Sequence, residues 1–209
     1  MSIRYRRKLS FSRRELLDLA VAWIVLSIAF AIFLRVGELS RFADRPVEAV
    51  ELFVLSALTV GTGFLLHELA HKVVAVRFGQ VAEFRADYNM LVLALLSALA
   101  GFIFAAPGAV HHTGRITERQ HGLIAVAGPV VNLALVAVFA PLLLLDGYLW
   151  RIGQFGVFVN AFLAAFNMIP FGPLDGKTVK RWDLAVFAVT LVVSVLLVVA
   201  LVATVESPL

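Results

Sequence analysis

The sequence contains no cysteine, and this absence excludes whole classes of site. Without thiols the chain can form neither disulfide bonds nor the thiolate metal sites found in many zinc-binding domains. Any metal ion must therefore be bound by histidine, aspartate, glutamate or water.

Charged residues are also scarce. Only 15% of the 209 residues are charged and 61% are hydrophobic, with a mean hydropathy of +0.95. Typical globular domains contain about 25% charged residues, so this chain has too little polar surface for a soluble fold, and we expect the lipid bilayer to be part of its solvent. The net charge of +4 indicates no nucleic-acid partner, because the basic residues flank apolar segments, as membrane orientation requires.

Long apolar segments account for most of the chain. They lie at about 16–36, 48–76, 89–110, 120–145, 153–171 and 183–204. The first follows a basic N-terminus and has no small-residue cleavage site after it, so it predicts a transmembrane helix with a cytoplasmic start rather than a signal peptide. No repeat or appended domain is visible. We expect one membrane-embedded domain over 1–209, with a motif-bearing core at about 55–180.

The positive charges distinguish two topologies. If all six segments cross, the 18 Lys and Arg residues divide into 10 inside and 8 outside. If segment 89–110 enters and returns on one side, 14 lie inside and 4 outside, which the positive-inside rule favours. Gly101 and Pro107 also interrupt this segment. The predicted fold is an all-α polytopic membrane protein with five to six transmembrane helices and a short re-entrant or β-strand element near 81–110; candidate strands are 81–87 and 101–104.

A metal-binding pattern lies near the end of the second apolar segment, at His67-Glu68-Leu69-Ala70-His71. Histidines four residues apart lie on one helix face, one turn apart, and can bind the same metal. Zinc suits imidazole and carboxylate ligands and leaves a position for water. Glu68 can take a proton from that water. The alternative is a helix end at the membrane interface, where both histidines meet water.

A third ligand must come from elsewhere in the chain. The candidate acids are Glu51, Glu83, Asp87, Asp146, Asp175 and Asp183. In the favoured topology Asp175 lies on the same side as the histidines, whereas Asp146 lies on the other side. Glu51 is about 24 Å from His67 along the helix. Two prolines and two glycines within 167–176 break the helix and leave a loop that can carry a ligand, although an ordinary helix stop would look the same.

Three patterns together resemble the site-2 protease family of intramembrane zinc metalloproteases. His-Glu-x-x-His stands at 67–71, Asn-x-x-Pro-x-x-x-Leu-Asp-Gly at 167–176, and Gly-Pro-x-x-Asn between them at 128–132. The resemblance covers roughly residues 55–180, and the order of the three motifs along the chain makes it specific. It implies a zinc endopeptidase that acts on transmembrane protein substrates. From the positive charges we expect a protein of the cell membrane with its N-terminus and active site toward the cytoplasm.

The resemblance also assigns residues. It implies one zinc ion bound by His67, His71 and Asp175, Glu68 as general base, and substrate contacts from Asn167 and Pro170. Asn132 is a further candidate for substrate binding, as a residue that lines the active-site cavity. A zinc-binding membrane protein or transporter without peptidase activity is the alternative function. For Asn132 the alternative is a bridge between helices. His111, His112 and His121 are expected to lie in a solvated loop, with a second metal site or a substrate gate as alternatives.

Overall fold

The computed structural model describes residues 8–38 and 45–204. Within them the elements follow in the order α1 (Arg13–Phe33), α2 (Pro46–Ser56), α3 (Thr62–Arg77), β1 (Val81–Ala86), α4 (Tyr88–Leu99), β2 (Gly108–Thr113), α5 (Glu118–Phe139), α6 (Gly147–Asn167), α7 (Asp175–Trp182) and α8 (Leu184–Thr204). Short 3-10 turns follow α1 at Val36–Glu38 and α5 at Ala140–Leu144.

Five helices in the described residues are long and apolar enough to cross a membrane, so the protein is a multi-pass membrane protein. They are α1, the 32-residue unit Pro46–Arg77, α5 with its 3-10 extension, α6 and α8. The 32-residue unit consists of α2 and α3 joined by a π-helical turn, Ala57–Gly61. The carbonyl of Ala57 accepts hydrogen bonds from Trp23 Nε1 at 3.1 Å and Thr62 Oγ1 at 3.0 Å, which stabilise the turn.

The apolar segment predicted to return without crossing does so. Its helix α4 has 12 residues, a length of about 18 Å against a hydrocarbon core of about 30 Å. The strands on either side of α4 pair antiparallel, with Phe84 opposite Val110. Both ends of the segment therefore lie side by side. This return, the five helices long enough to cross a membrane and the short β element agree with the predicted fold.

The position of the second strand differs from the prediction. The first candidate strand is confirmed as β1, but 101–104 is not a strand. Gly101 has φ of 87° at the end of α4, and the Phe102 amide donates to Ser97 O at 3.0 Å, so these residues close the helix. The second strand is β2, whose side chains alternate between half-buried and exposed.

The start of α1 covers the outer edge of β1. The Phe84 amide donates to Glu15 Oε1 at 3.0 Å, and the Ala86 amide donates to Asp18 Oδ2 at 3.4 Å. Glu15 also accepts from Lys72 Nζ of α3 at 2.6 Å, and both side chains of this ion pair are 1% exposed. The start of α1, the end of α3 and the β1–β2 strand pair therefore meet at one end of the helix bundle.

Candidate metal centre

Two histidines of α3 and the first residue of α7 converge at this same end. His67 Nε2 lies 3.3 Å and His71 Nε2 lies 3.4 Å from Asp175 Oδ2. The two imidazole rings are perpendicular, with centroids 4.7 Å apart, because four residues bring them one turn apart on the helix. One ligand atom from each of the three residues lies within 4.8 Å of the other two, so the group can hold a metal ion.

The tautomers of both imidazoles follow from their other contacts. His67 Nδ1 lies 2.6 Å from Asn132 Oδ1, and His71 Nδ1 lies 2.7 Å from the Ile124 carbonyl oxygen. Both partners accept hydrogen bonds, so each Nδ1 donates a proton and Nε2 is the ring atom that can bind a metal. Both Nε2 atoms thus face Asp175, as in metal sites whose histidines are held by a hydrogen bond at the second ring nitrogen.

The spacing and the chemistry of these residues fit zinc. Ligands bound 2.0–2.1 Å from a tetrahedral zinc ion lie about 3.3 Å apart, close to the two distances seen here. Asp175 Oδ2 is buried and has no hydrogen-bond partner in the described part of the chain. Burial raises the pKa of Asp175, but the neighbouring imidazoles outweigh burial and lower it to about 2. Asp175 therefore offers an anionic ligand beside the two imidazoles.

Gly128 of α5 makes room for this site. A Cβ atom at this position would lie 2.5 Å from His67 Nε2 and 2.6 Å from His71 Nε2. The helix passes so close that a side chain would occupy the place where the ligand atoms converge. One turn later on the same helix, Asn132 holds His67. The Gly-Pro-x-x-Asn pattern thus combines a close approach of α5 with a hydrogen bond to a ligand.

Asn132 belongs to a buried polar chain that links three helices. Its Nδ2 donates to Asn160 Oδ1 at 2.9 Å and to the Gly63 carbonyl at 3.3 Å, and Asn160 Nδ2 donates to Gly156 O at 2.9 Å. Both asparagines are 0% exposed. Both the oxygen and the nitrogen of the Asn132 side-chain amide therefore have partners, as in the helix bridge given as the alternative to substrate binding. Contact with substrate would require these bonds to break. Asn160 was not identified from the sequence.

Glu68 is buried beside the ligands. Its side chain is 8% exposed, and its Oε2 accepts a hydrogen bond from the Val110 amide of β2 at 3.1 Å. Strand β2 therefore lies directly against the Glu68 carboxylate, which is predicted to act as a base. This contact depends on the tertiary packing of β2 on α3, so local sequence gives no sign of it.

The turn from α6 to α7 carries the other predicted residues. Asn167 ends α6 and donates through Nδ2 to Leu163 O at 3.0 Å, and Pro170 is exposed in the turn that follows. The start of α7 packs tightly on the end of α6, because a Cβ on Gly176 would lie 2.1 Å from Met168 O. That close approach positions Asp175.

The three remaining histidines lie on and beside β2. His111 is on the exposed face of the strand, whereas His112 is half-buried, with its ring centroid 5.6 Å from that of His121 on α5. Burial, and then the proximity of His121, lowers the pKa of His112. Among the described residues only His67, His71 and Asp175 bring three metal-binding groups together, so these histidines do not form a comparable second site.

Comparison with known proteins gives the same family as the motifs. The chain is 41% identical over 184 residues to the Methanocaldococcus jannaschii protein named "Putative zinc metalloprotease MJ0611", covering 86% of this chain and 90% of that protein. It is 30% identical over 159 residues to "Putative zinc metalloprotease YwhC" of Bacillus subtilis, covering 66% and 71%. Over 150 residues it is 29% identical to "Putative zinc metalloprotease Rip2" of Mycobacterium tuberculosis, covering 63% and 58%.

The chain therefore belongs to a family of zinc metalloproteases. Its ordered motifs identify that family as the site-2 proteases. No family model and no solved structure matches the chain significantly.

Proposed function

We propose that this chain is an intramembrane zinc endopeptidase that hydrolyses peptide bonds in transmembrane protein substrates. The observation that carries the proposal is the position of Glu68, which is buried beside His67 and His71 on a helical unit long enough to cross the membrane. One zinc ion per chain would be bound by these histidines and Asp175.

In the proposed hydrolysis, Glu68 carries a proton from the attacking water to the leaving amine. When bound, zinc lowers the pKa of a coordinated water toward about 7 and polarises the scissile carbonyl. Glu68 accepts a proton from the attacking water, whose oxygen forms a bond to the carbonyl carbon. As the C–N bond breaks, Glu68 returns the proton to the leaving amine. The Val110 amide holds Oε2, which leaves Oε1 to take the proton.

The β1–β2 strand pair suggests that the substrate binds by adding a strand to β2. Peptide bonds within a helix are shielded by their own hydrogen bonds, so the substrate must unwind locally. The outer edge of β1 is occupied by Glu15 and Asp18, whereas β2 faces Glu68 through Val110. An extended substrate segment adding to β2 would therefore lie beside the base. Asn167 and Pro170 would contact the substrate from the end of α6.

The proposed orientation places the N-terminus and the metal centre on the cytoplasmic side. Its support is the charge distribution, in which 14 of the 18 Lys and Arg residues lie on that side. The meeting of the α1 start, the α3 end and α7 at one end of the bundle agrees with this grouping.

The decisive experiment compares wild type with Glu68→Gln in liposomes that contain a model transmembrane substrate. Zinc content should stay the same while cleavage falls by about 10²–10⁴-fold, the usual contribution of general acid–base catalysis. Glu118→Gln, an exposed carboxylate on α5, serves as the control and should retain cleavage. If Glu68→Gln cleaves normally, the assigned mechanism is wrong. If wild type holds zinc and cleaves nothing, the zinc-binding or transporter alternative is favoured.

A further inference from the structure

A cavity lies at the end of the bundle opposite the metal centre. It has a volume of about 500 Å³ and opens between the end of α1, the middle of α2 and the start of α6. Its polar lining comes from Arg35, Arg151 and Gln154, and Leu52 and Phe155 contribute to its apolar wall. Neither the proposed catalysis nor the sequence motifs use these residues.

Gln154 is the feature of this cavity that points to a ligand. Its side chain is 7% exposed, yet no hydrogen bond joins its amide to any described residue, and its polar atoms are not sealed from the cavity. A buried amide normally has a partner, because leaving it without one costs free energy. Its amide therefore has both a donor and an acceptor to offer to a molecule within the cavity.

Charge and depth indicate what kind of molecule fits. Arg35 follows the end of α1, and Arg151 is the fifth residue of α6, so both residues lie near the ends of membrane-crossing helices. Leu52 and Leu55 lie in the second and third turns of α2 and are 6% and 4% exposed, so the apolar wall runs inward from that level. A cationic rim above an apolar wall matches an amphiphile with an anionic head.

We propose that this cavity binds the headgroup of an anionic phospholipid. The phosphate pairs with Arg151 and Arg35, the Gln154 amide donates to a phosphate or ester oxygen, and the first part of an acyl chain lies along the half-buried lining residues Phe33 and Leu34. Guanidinium groups suit phosphate oxygens because their donors form a planar fork. Inorganic phosphate has the same anionic chemistry but would leave the apolar wall uncovered.

The test uses the full-length protein, delipidated and returned to phosphatidylcholine vesicles with or without phosphatidylglycerol. Native mass spectrometry then counts the lipid that stays bound. We expect one phosphatidylglycerol per chain to be retained in preference to phosphatidylcholine. Arg151→Ala and Gln154→Leu should each weaken its binding by about tenfold, as expected for losing one hydrogen bond to a charged group. Arg35 also interacts with another part of the chain, so it is not used as the test position.

Arg45→Ala is the matched control, because Arg45 precedes α2 at the same end of the bundle but does not line the cavity. It should leave the bound phosphatidylglycerol unchanged. Unfolding temperatures of the three variants in phosphatidylcholine check that all are folded. Equal loss in Arg45→Ala would overturn the proposal in favour of general interface charge. Retention of phosphatidylcholine at the same level, or displacement of the lipid by millimolar inorganic phosphate, would also overturn it.

Discussion

His67 Nδ1 and Asn132 Oδ1 lie 2.6 Å apart, so α5 orients the first histidine of the metal centre. Asn132 is in turn held by Asn160 and by the Gly63 carbonyl. The imidazole therefore cannot rotate without disturbing contacts among α3, α5 and α6. Such outer contacts typically change metal affinity when they are removed.

Asn132→Ala should weaken zinc binding by about 10–100-fold, since His67 then loses the acceptor that fixes its tautomer and ring orientation. The measurement is zinc retention during dialysis against a chelator of known affinity. Asn160→Ala should have a smaller effect, because Asn160 acts on His67 only through Asn132. Unchanged zinc affinity in Asn132→Ala would show that packing alone holds the imidazole.

Gly128→Ala should abolish stoichiometric zinc binding. The added Cβ would approach both Nε2 atoms to 2.5–2.6 Å, so at least one imidazole must leave its present position. Metal analysis of the purified variant provides the measurement. Gly37→Ala is a suitable control, because a Cβ at Gly37 meets no atom within 4 Å. Normal zinc content in Gly128→Ala would mean that α5 can move away from the metal centre.

Lys72→Met should destabilise the protein by about 3–5 kcal/mol, because it leaves the Glu15 carboxylate buried without its cation. Unfolding midpoints in detergent measure the change. Adding Glu15→Gln should restore part of the stability, since the glutamine is uncharged and its oxygen can still accept from the Phe84 amide. Lys177→Met, an exposed position on α7, should change stability by less than about 0.5 kcal/mol.

Val110→Pro should reduce cleavage and leave zinc content unchanged. Proline removes the amide that holds Glu68 and disrupts the strand edge proposed for substrate addition. Val110→Ala keeps that amide and should retain most of the activity. Cleavage of a transmembrane substrate and zinc content are measured on both variants. If Val110→Pro cleaves as well as Val110→Ala, substrate addition to β2 is refuted.

The convergence of the three residues at the metal centre could be predicted from the sequence, because it depends on a spacing within one helix and on the charge balance of the whole chain. The spacing of His67 and His71 follows from one helical turn, and the balance of charges over the whole chain grouped Asp175 with them. The structure brings the three residues together as that reasoning required. The charge balance also predicted that segment 89–110 returns, and the pairing of β1 with β2 confirms it.

Contacts between distant segments escaped the sequence reasoning. A lysine in the second half of an apolar helix looks the same in the sequence whether it meets water or a carboxylate. The structure shows that Lys72 meets the carboxylate of Glu15, 57 residues away. Asn160 has no local pattern that marks it as part of a site, because its role depends on how α6 packs against α3 and α5. The second strand was misplaced because the apolar run at 101–104 resembles a strand, while the positive φ of Gly101 depends on how α4 ends.

The π-helical turn Ala57–Gly61 sets the direction in which the metal-binding residues face. A π turn contains one residue more than the α-helix it interrupts, so every later position is rotated by about 100° relative to an unbroken helix. The same membrane-spanning unit thereby presents Leu52 and Leu55 to its apolar neighbours and still aims His67 at α5. Removing one residue from this turn would swing the ligands away from Asp175 by more than a quarter of a turn without altering any of them.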